Sequence, residues 1–373
     1  MEPMNIDYND HSEIQLNTIK TNLDVVSKAM EIWTEVHSES MKHAGTDPSS
    51  CQQTINIADF GSSYGRNSLV PLCTIISKVR QLFTRNDISV FHNDLPQNDF
   101  GHLFQEISTN PSSYHKLSNN IYSYAVGCSF YNQVFPANSI HIAIAFCCLH
   151  WASKLTSPIP DTIFYQHSSH SELKEKWMKE TRDDLITLLE KRGNELVVGG
   201  IFIGNFLTND NDSFESSRMF YRQVKLIWND MARDGLISEE EAHNMVYPFR
   251  FYTLENIQSA IRHPRVSPHG LELRYCELRK NSCPYQSLVE QHGAHYFAEK
   301  LFKVFSAFIG PYWRSNLKAG ASSDLVWEEY TQRFIDYFTE NPQHGCIPNS
   351  YHIVILEKTT SGDLQQRPGD ASC

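Results

Sequence analysis

Two carboxylates stand at the ends of apolar runs, each beside residues that suit a nucleotide. The first, Asp59, sits near the end of the run Ile55 to Phe60 and is followed by Gly61 and Gly65 in D-F-G-S-S-Y-G. Glycine tolerates the positive φ of a tight turn and lets a ligand approach the backbone. The apolar stretch after the turn reads as a helix, whose first N–H groups are free to face an anion. The second, Asp94, follows the run Ser89 to Asn93 in F-H-N-D-L-P-Q-N-D-F. A carboxylate at the end of a second strand can accept hydrogen bonds from both hydroxyls of a ribose. The pattern is not G-x-G-x-x-G, so the dinucleotide fingerprint is absent. On these features alone the stretch is either a nucleotide site or an ordinary tight turn of an α/β protein.

Other residues invite a chemical reading beside a plainer one. His150 and Trp151 follow an apolar run. They are either a core aromatic next to a hydrogen-bonded core histidine, or two polar-edged walls of an acceptor pocket. His167, His170 and Glu172 in H-S-S-H-S-E have loose metal-ligand spacing, but their place before a charged amphipathic run fits polar helix capping better. Ser238 opens S-E-E-E-A-H, the pattern of a helix N-terminus with acids in its first turn.

The elements that must position these residues follow from hydrophobic period. Strands are expected at Ile55–Phe60, Ser89–Asn93, Ile121–Val126, Ile140–Phe146, Gly199–Phe206 and Ser350–Lys358. Leu69, Val70, Leu72, Ile75, Ile76, Val79 and Leu82 recur at helical spacing between the first two. Further helices are expected over Glu172–Arg192, His295–Ile309 and Asp324–Thr339. Strands alternating with helices predict an α/β fold: a mostly parallel, doubly wound sheet covered on both faces. Residues 1–210 and 345–360 are expected to form that core, 211–344 a mainly helical cap with Phe251–Ile261 contributing cap core and one helix, and 361–373 a loose polar tail.

Composition narrows the function classes. The chain has 373 residues, 40% hydrophobic, enough for one large core or a core with a smaller lobe. A net charge of −11 argues against general nucleic-acid binding, which needs dense Lys and Arg. An apolar run of about 18 residues, the length of a membrane span, is absent, as is an apolar signal core at the N-terminus. Nine cysteines lie without C-x-x-C pairing, the pattern of reduced thiols in a cytoplasmic protein.

The motifs resemble those of the SABATH methyltransferases. I-A-D-F-G-S-S-Y-G-R-N-S-L resembles the family's I-A-D-L-G-C-S-S-G-P-N-T, and F-H-N-D-L-P-Q-N-D-F-G-H-L-F its F-L-N-D-L-P-x-N-D-F-N-x-L-F. V-G-C-S-F-Y-N-Q-V-F-P-A-N-S-I-H, continuing to C-C-L-H-W-A-S, is similar to its V-P-G-S-F-Y-x-R-L-F-P-x-x-S-L-H…S-L-H-W-L-S. R-G-N-E-L-V-V-G-G matches its R-x-x-E-L-x-x-G-G, and Tyr8, Ser12 and Gln15 keep the spacing of its N-terminal motif. The likeness runs in one order from about residue 8 to residue 358. Departures fall at Ser62, Tyr64, Arg66, Cys147, and Asp10-His11.

The resemblance implies a Rossmann-like class I methyltransferase sheet with a helical cap over the acceptor site. It implies S-adenosylmethionine as cofactor and S-adenosylhomocysteine as product. Tyr8, Ser12, Asp59, Asn67, Asp94, Leu95, Ser129 and Phe130 would line the cofactor site, with Gly61 in its turn. Asp94 would take the ribose hydroxyls, Leu95 and Phe130 would sandwich the adenine, and Asp59, Asn67 and Ser12 would orient the methionine end. Gln15, His150 and Trp151, with Cys147 nearby, would hold the acceptor. Some members bind Mg2+ near that pocket; a ligand set for it is not assignable here, and no metal site is expected. The implied activity is carboxyl O-methylation of a small, largely apolar acid by a homodimer. N-methylation of a small heterocycle, or a repurposed cofactor-binding protein without methyl transfer, are the alternatives.

Overall fold

The computed structural model describes residues 12–44, 54–155, 157–208, 211–318 and 321–360. Tyr8, Asp10, His11 and the expected tail 361–373 lie outside them. Seven strands form one sheet: β1 (Ile55–Phe60), β2 (Ile88–Asp94), β3 (Ile121–Gly127), β4 (Ile140–Ala145), β5 (Leu196–Thr208), β6 (Leu271–Asn281) and β7 (Asn349–Lys358). Their order is β3-β2-β1-β4-β5-β7-β6. The first five pair in parallel; β7 runs antiparallel to β5 and to β6. The order reverses between β1 and β4, and ligands of open α/β sheets bind beyond the carboxyl ends of strands at such a point.

The helices are α1 (Glu13–Thr21), α2 (Leu23–Ala44), α3 (Leu69–Leu82), α4 (Phe100–Thr109), α5 (Ser171–Glu195) and α6 (Asn211–Arg233). They continue with α7 (Glu239–Asn244), α8 (Leu254–Ile261), α9 (Ser287–His292), α10 (Ala294–Ser315) and α11 (Ala321–Glu340). Successive strand residues face opposite sides, and each side of the sheet is covered. Ile57, Ile142, Ile144, Ile353 and Ile355 pack with Val26 and Met30 of α2 and Leu72 and Ile76 of α3. Their neighbours Ala58, Phe60, Ala143, Val354 and Leu356 pack with Leu185 and Leu189 of α5 and Ile257 of α8. Burial on both faces is why these strands read as continuous apolar runs.

A third cluster joins α6, α10 and α11 through aromatics, among them Phe220, Trp228, Phe305, Trp313, Tyr330 and Phe334. Trp228 stacks on Tyr330 with centroids 4.0 Å apart. Trp313 donates its indole N–H to the Val246 carbonyl at 2.9 Å.

Among the described residues of 211–344 lie six α-helices and one strand. Strand β6 and helix α8 of this segment pack with the sheet layer. The polar residues of L-E-L-R-Y-C-E-L-R-K-N mask its alternation. An edge strand tolerates them, and here they form ion pairs: Arg279 with Asp24 at 2.6 Å, and Arg274 with Glu357. The N-terminus expected at Ser238 is a capping box: its Oγ accepts from Glu241 N, and Glu241 Oε2 accepts from Ser238 N. His170 stands at the N-cap of α5 without a side-chain capping bond; Ser168 and Ser169 donate to Asp161. Among the described residues no group of three His, Cys, Asp or Glu is placed to hold a metal, and no helix is long and apolar enough to cross a membrane.

Candidate active site

The turn after β1 needs its glycines. Gly61, Ser63 and Gly65 all have positive φ, at 74°, 47° and 87°. A Cβ on Gly61 would stand 2.4 Å from the Cys148 Cβ. Gly61 N and Ser62 N donate to Asn93 O at 2.8 and 3.1 Å. Asn93 in turn donates its amide to Val126 O and Cys128 O at 2.9 and 2.7 Å. Asp94 accepts Ser63 N at 2.7 Å on one oxygen and Leu95 N at 2.8 Å on the other. Asn98 donates to Ser63 O at 2.8 Å. The loops after β1, β2 and β3 are therefore tied to one another through Asn93, Asp94 and Asn98. Burial pushes the Asp94 carboxyl up, and the Ser63 and Leu95 N–H groups oppose the shift.

The loop carrying Ser129 and Phe130 is pinned by a buried ion pair. Arg192 and Glu195, both 1% exposed, meet at 2.7 Å near the end of α5. Arg192 donates to Phe130 O at 2.6 Å and Asn132 O at 3.1 Å, and Glu195 accepts Val134 N and Phe135 N. The R-x-x-E motif thus acts on the pocket from behind, through the backbone of the loop that lines it.

Gln15, Asp59, Gly61, Asn67, Asp94, Leu95, Ser129, Phe130, Cys147 and Trp151 line one pocket, with about 1160 Å³ of empty space including its open mouth. Ser12 and His150 are not among the lining residues. Ser12 is buried at the N-cap of α1 and its side chain makes no capping bond. The His150 ring lies edge-on to Phe249, with centroids 4.4 Å apart, beside Trp151. Its burial lowers the imidazole to about 4, so His150 is neutral near pH 7. Phe308 and Tyr312 of α10 complete the wall. Their apolar spacing announces a helix face without saying what the face covers, and the sequence offers no further signal for them.

The acceptor wall is held by the segment around residue 250. Arg250 N donates to His150 O and Ala152 N to Pro248 O, both at 2.7 Å. Buried Arg250 pairs with Asp184 at 2.7 Å, and Asp184 also accepts from Ser153 N and Oγ. Tyr131 donates its hydroxyl to Trp151 O at 2.8 Å. Cys147 adopts a left-handed φ of 56°, with its N–H on Asn205 Oδ1 at 2.6 Å. Burial raises the Cys147 thiol to about 12, which keeps it protonated and non-nucleophilic.

The pocket fits a polar, charged ligand. Among the described residues, Gln15 Oε1, Ser62 Oγ, Ser63 Oγ and Asn67 Oδ1 are buried without a hydrogen-bond partner. Native structures leave few such atoms unpaired, and here all four belong to residues lining the same pocket.

The fold is that of the class I S-adenosylmethionine-dependent methyltransferases. The solved structure of a loganic acid methyltransferase with S-adenosylhomocysteine matches with a TM-score of 0.74, covering 97% of this chain and 100% of that one at 19% identity. The family model for S-adenosylmethionine-dependent carboxyl methyltransferases matches residues 6–357, and the chain belongs to that family. A probable S-adenosylmethionine-dependent methyltransferase of Arabidopsis thaliana is 28% identical over 286 residues, 68% of this chain and 78% of the relative. Gibberellic acid methyltransferase 1 of the same plant is 24% identical over 239 residues, 57% of this chain and 62% of the relative.

Proposed function

We propose that this methyltransferase esterifies the carboxylate of a small, largely apolar acid. The observation that carries the reading is the single pocket joining the Asp59–Asp94 wall to a wall of Gln15, Trp151, Phe308 and Tyr312. When bound there, S-adenosylmethionine supplies an already activated methyl group. Asp94 receives the ribose hydroxyls, Leu95 and Phe130 enclose the adenine, and Asp59 with Asn67 orients the methionine end. By family resemblance, Ser12 is assigned to that end and Tyr8 to the lining of the cofactor site.

The chain need not provide a general base, because a carboxylic acid is ionised near pH 7. Gln15 and Trp151 each carry N–H donors, which hold one carboxylate oxygen and leave the other aimed at the methyl. Phe308 and Tyr312 exclude water and set the size of the acid. His150, neutral and against Phe249, braces Trp151 from behind. Orientation of this kind supplies up to about 7–11 kcal/mol of barrier lowering. The chain is further read as a cytoplasmic homodimer of small-molecule metabolism, on family likeness and on cysteines that, among the described residues, are free thiols.

The test is S-adenosylhomocysteine release with a panel of small acids, each paired with its amide, and of small nitrogen heterocycles. Turnover of acids alone supports the reading; turnover of nitrogen heterocycles alone, or cofactor binding without turnover of any acceptor, overturns it. A monomeric mass by light scattering at micromolar concentration overturns the dimer.

A further inference from the structure

Behind Asp59 a chain of hydrogen bonds crosses the sheet. Asp59 Oδ2 lies 3.0 Å from His92 Nδ1, and His92 Nε2 lies 2.8 Å from the Tyr114 hydroxyl. That hydroxyl is 2.6 Å from Ser123 Oγ, which is 2.8 Å from His115 Nε2. His92 is fully buried in β2, and Tyr114 is fully buried beside it.

The hydrogens can be assigned from chemistry. A carboxylate accepts and does not donate, so His92 Nδ1 carries the hydrogen. With one hydrogen on the ring, Nε2 accepts from the Tyr114 O–H, Tyr114 from Ser123, and Ser123 from His115. Every donor then points toward Asp59, and bonds in such a series reinforce one another. Burial pushes the Tyr114 hydroxyl up, which keeps it a donor.

We propose that His92 is a positioning residue. Through Nδ1 it fixes one oxygen of Asp59, and so presents the other to the amino group at the methionine end of the cofactor. The inference rests on the cofactor placement given under Proposed function. Its discriminating feature is ligand selectivity, since 5′-methylthioadenosine keeps the nucleoside and thioether but lacks the amino-acid end.

Both S-adenosylhomocysteine and 5′-methylthioadenosine are titrated by calorimetry into the wild type, His92→Leu, His92→Asn and Tyr114→Phe. His92→Leu should weaken S-adenosylhomocysteine about tenfold or more and leave 5′-methylthioadenosine within about twofold. His92→Asn, whose amide can still donate to Asp59, should recover most of the loss. Tyr114→Phe removes a single oxygen and keeps the ring, so it carries the test should His92→Leu not fold. It should show a smaller loss, about threefold, with the same selectivity. Wild type that binds neither ligand overturns the cofactor placement and this inference together. Wild type that binds both, with the variants losing both ligands alike or neither, overturns this inference alone.

Discussion

The two walls of the pocket are made of different material. The cofactor wall consists of three short loops at the ends of neighbouring strands, set by backbone: positive φ at Gly61 and Gly65, N–H groups on Asp94, and side-chain amide hydrogen bonds from Asn93. The acceptor wall is assembled from side chains far apart in the chain: Gln15 of α1, Trp151 after β4, and Phe308 and Tyr312 of α10. A wall made by backbone geometry admits few residue types at each position. A wall made by side-chain bulk can change its shape without disturbing the turn that holds the cofactor. The difference teaches how one cofactor site can serve many acceptors, and it is open to test.

The largest effect is expected at the ion pair behind the cofactor wall. Arg192→Met leaves Glu195 buried and uncompensated and frees the carbonyls of Phe130 and Asn132. Removing one partner of a buried pair costs about 3–5 kcal/mol. Urea unfolding should show a loss of that order, and the remaining folded protein should bind S-adenosylhomocysteine more weakly. Arg192→Lys should fall between, because an ammonium keeps the charge but cannot reproduce the planar fork. Undiminished cofactor affinity per folded molecule would mean that Ser129 and Phe130 hold their places without the pair.

Two substitutions then dissect the walls from each other. Trp151→Phe keeps most of the apolar surface and deletes the indole N–H. Methyl transfer should drop by about 100-fold, as small misplacements of reacting groups can cost that much, while affinity for S-adenosylhomocysteine stays at the wild-type value. A fall in melting temperature with transfer per folded molecule intact would return Trp151 to the role of a core aromatic. Asp94→Ala should do the reverse. A hydrogen bond to a charged group is worth about 1.5–3 kcal/mol, so cofactor affinity should weaken at least tenfold in calorimetry. Near-equal effects of both variants on both readouts would erase the distinction between the walls.

The same contrast decides what the sequence reveals. Strands buried on both faces leave apolar runs that need no tertiary context, which is why β1, β4 and β7 fall within a residue of expectation. The turn and carboxylates at Asp59, Gly61 and Asp94 leave an ordinary tight turn open, and it is the family resemblance that adds Asn67 and reads them as one site; the structure gathers all four around one pocket. Phe308 and Tyr312 are not legible, since helical period marks a buried face but not its partner. Strand β6 is hidden by charges that its edge position allows. His150 shows the limit of motif reading: it adjoins Trp151 in sequence, yet packs on Phe249 outside the lining. The role of His92 depends on Tyr114, 22 residues away on a separate segment, so no local pattern announces it.

The smallest expected effect sharpens the comparison from the sheet itself. His141 is buried near the amino end of β4, at the end of the sheet away from the pocket, and its Nδ1 accepts Asn56 N of β1 at 3.1 Å. Desolvation, with His37 nearby as a second cause, lowers its imidazole from 6.5 to about 4. Between those two values the unfolded chain binds a proton at this site and the folded chain does not. Stability must then fall as the pH drops from about 6.5 toward 4, and the group contributes nothing to the slope above 6.5. The slope from one such group is at most about 1.4 kcal/mol per pH unit. Protonation would also cost the Asn56 bond, because a doubly protonated ring has no acceptor nitrogen. His141→Asn, which keeps an acceptor but cannot titrate, should flatten the acid limb of a plot of urea midpoint against pH and leave the neutral region in place. Turnover at pH 7 should follow the wild type, since neither pocket wall contains His141. An acid limb of unchanged steepness in the variant would assign that loss to other buried groups, with His150 the next to test, since its imidazole is lowered to the same value.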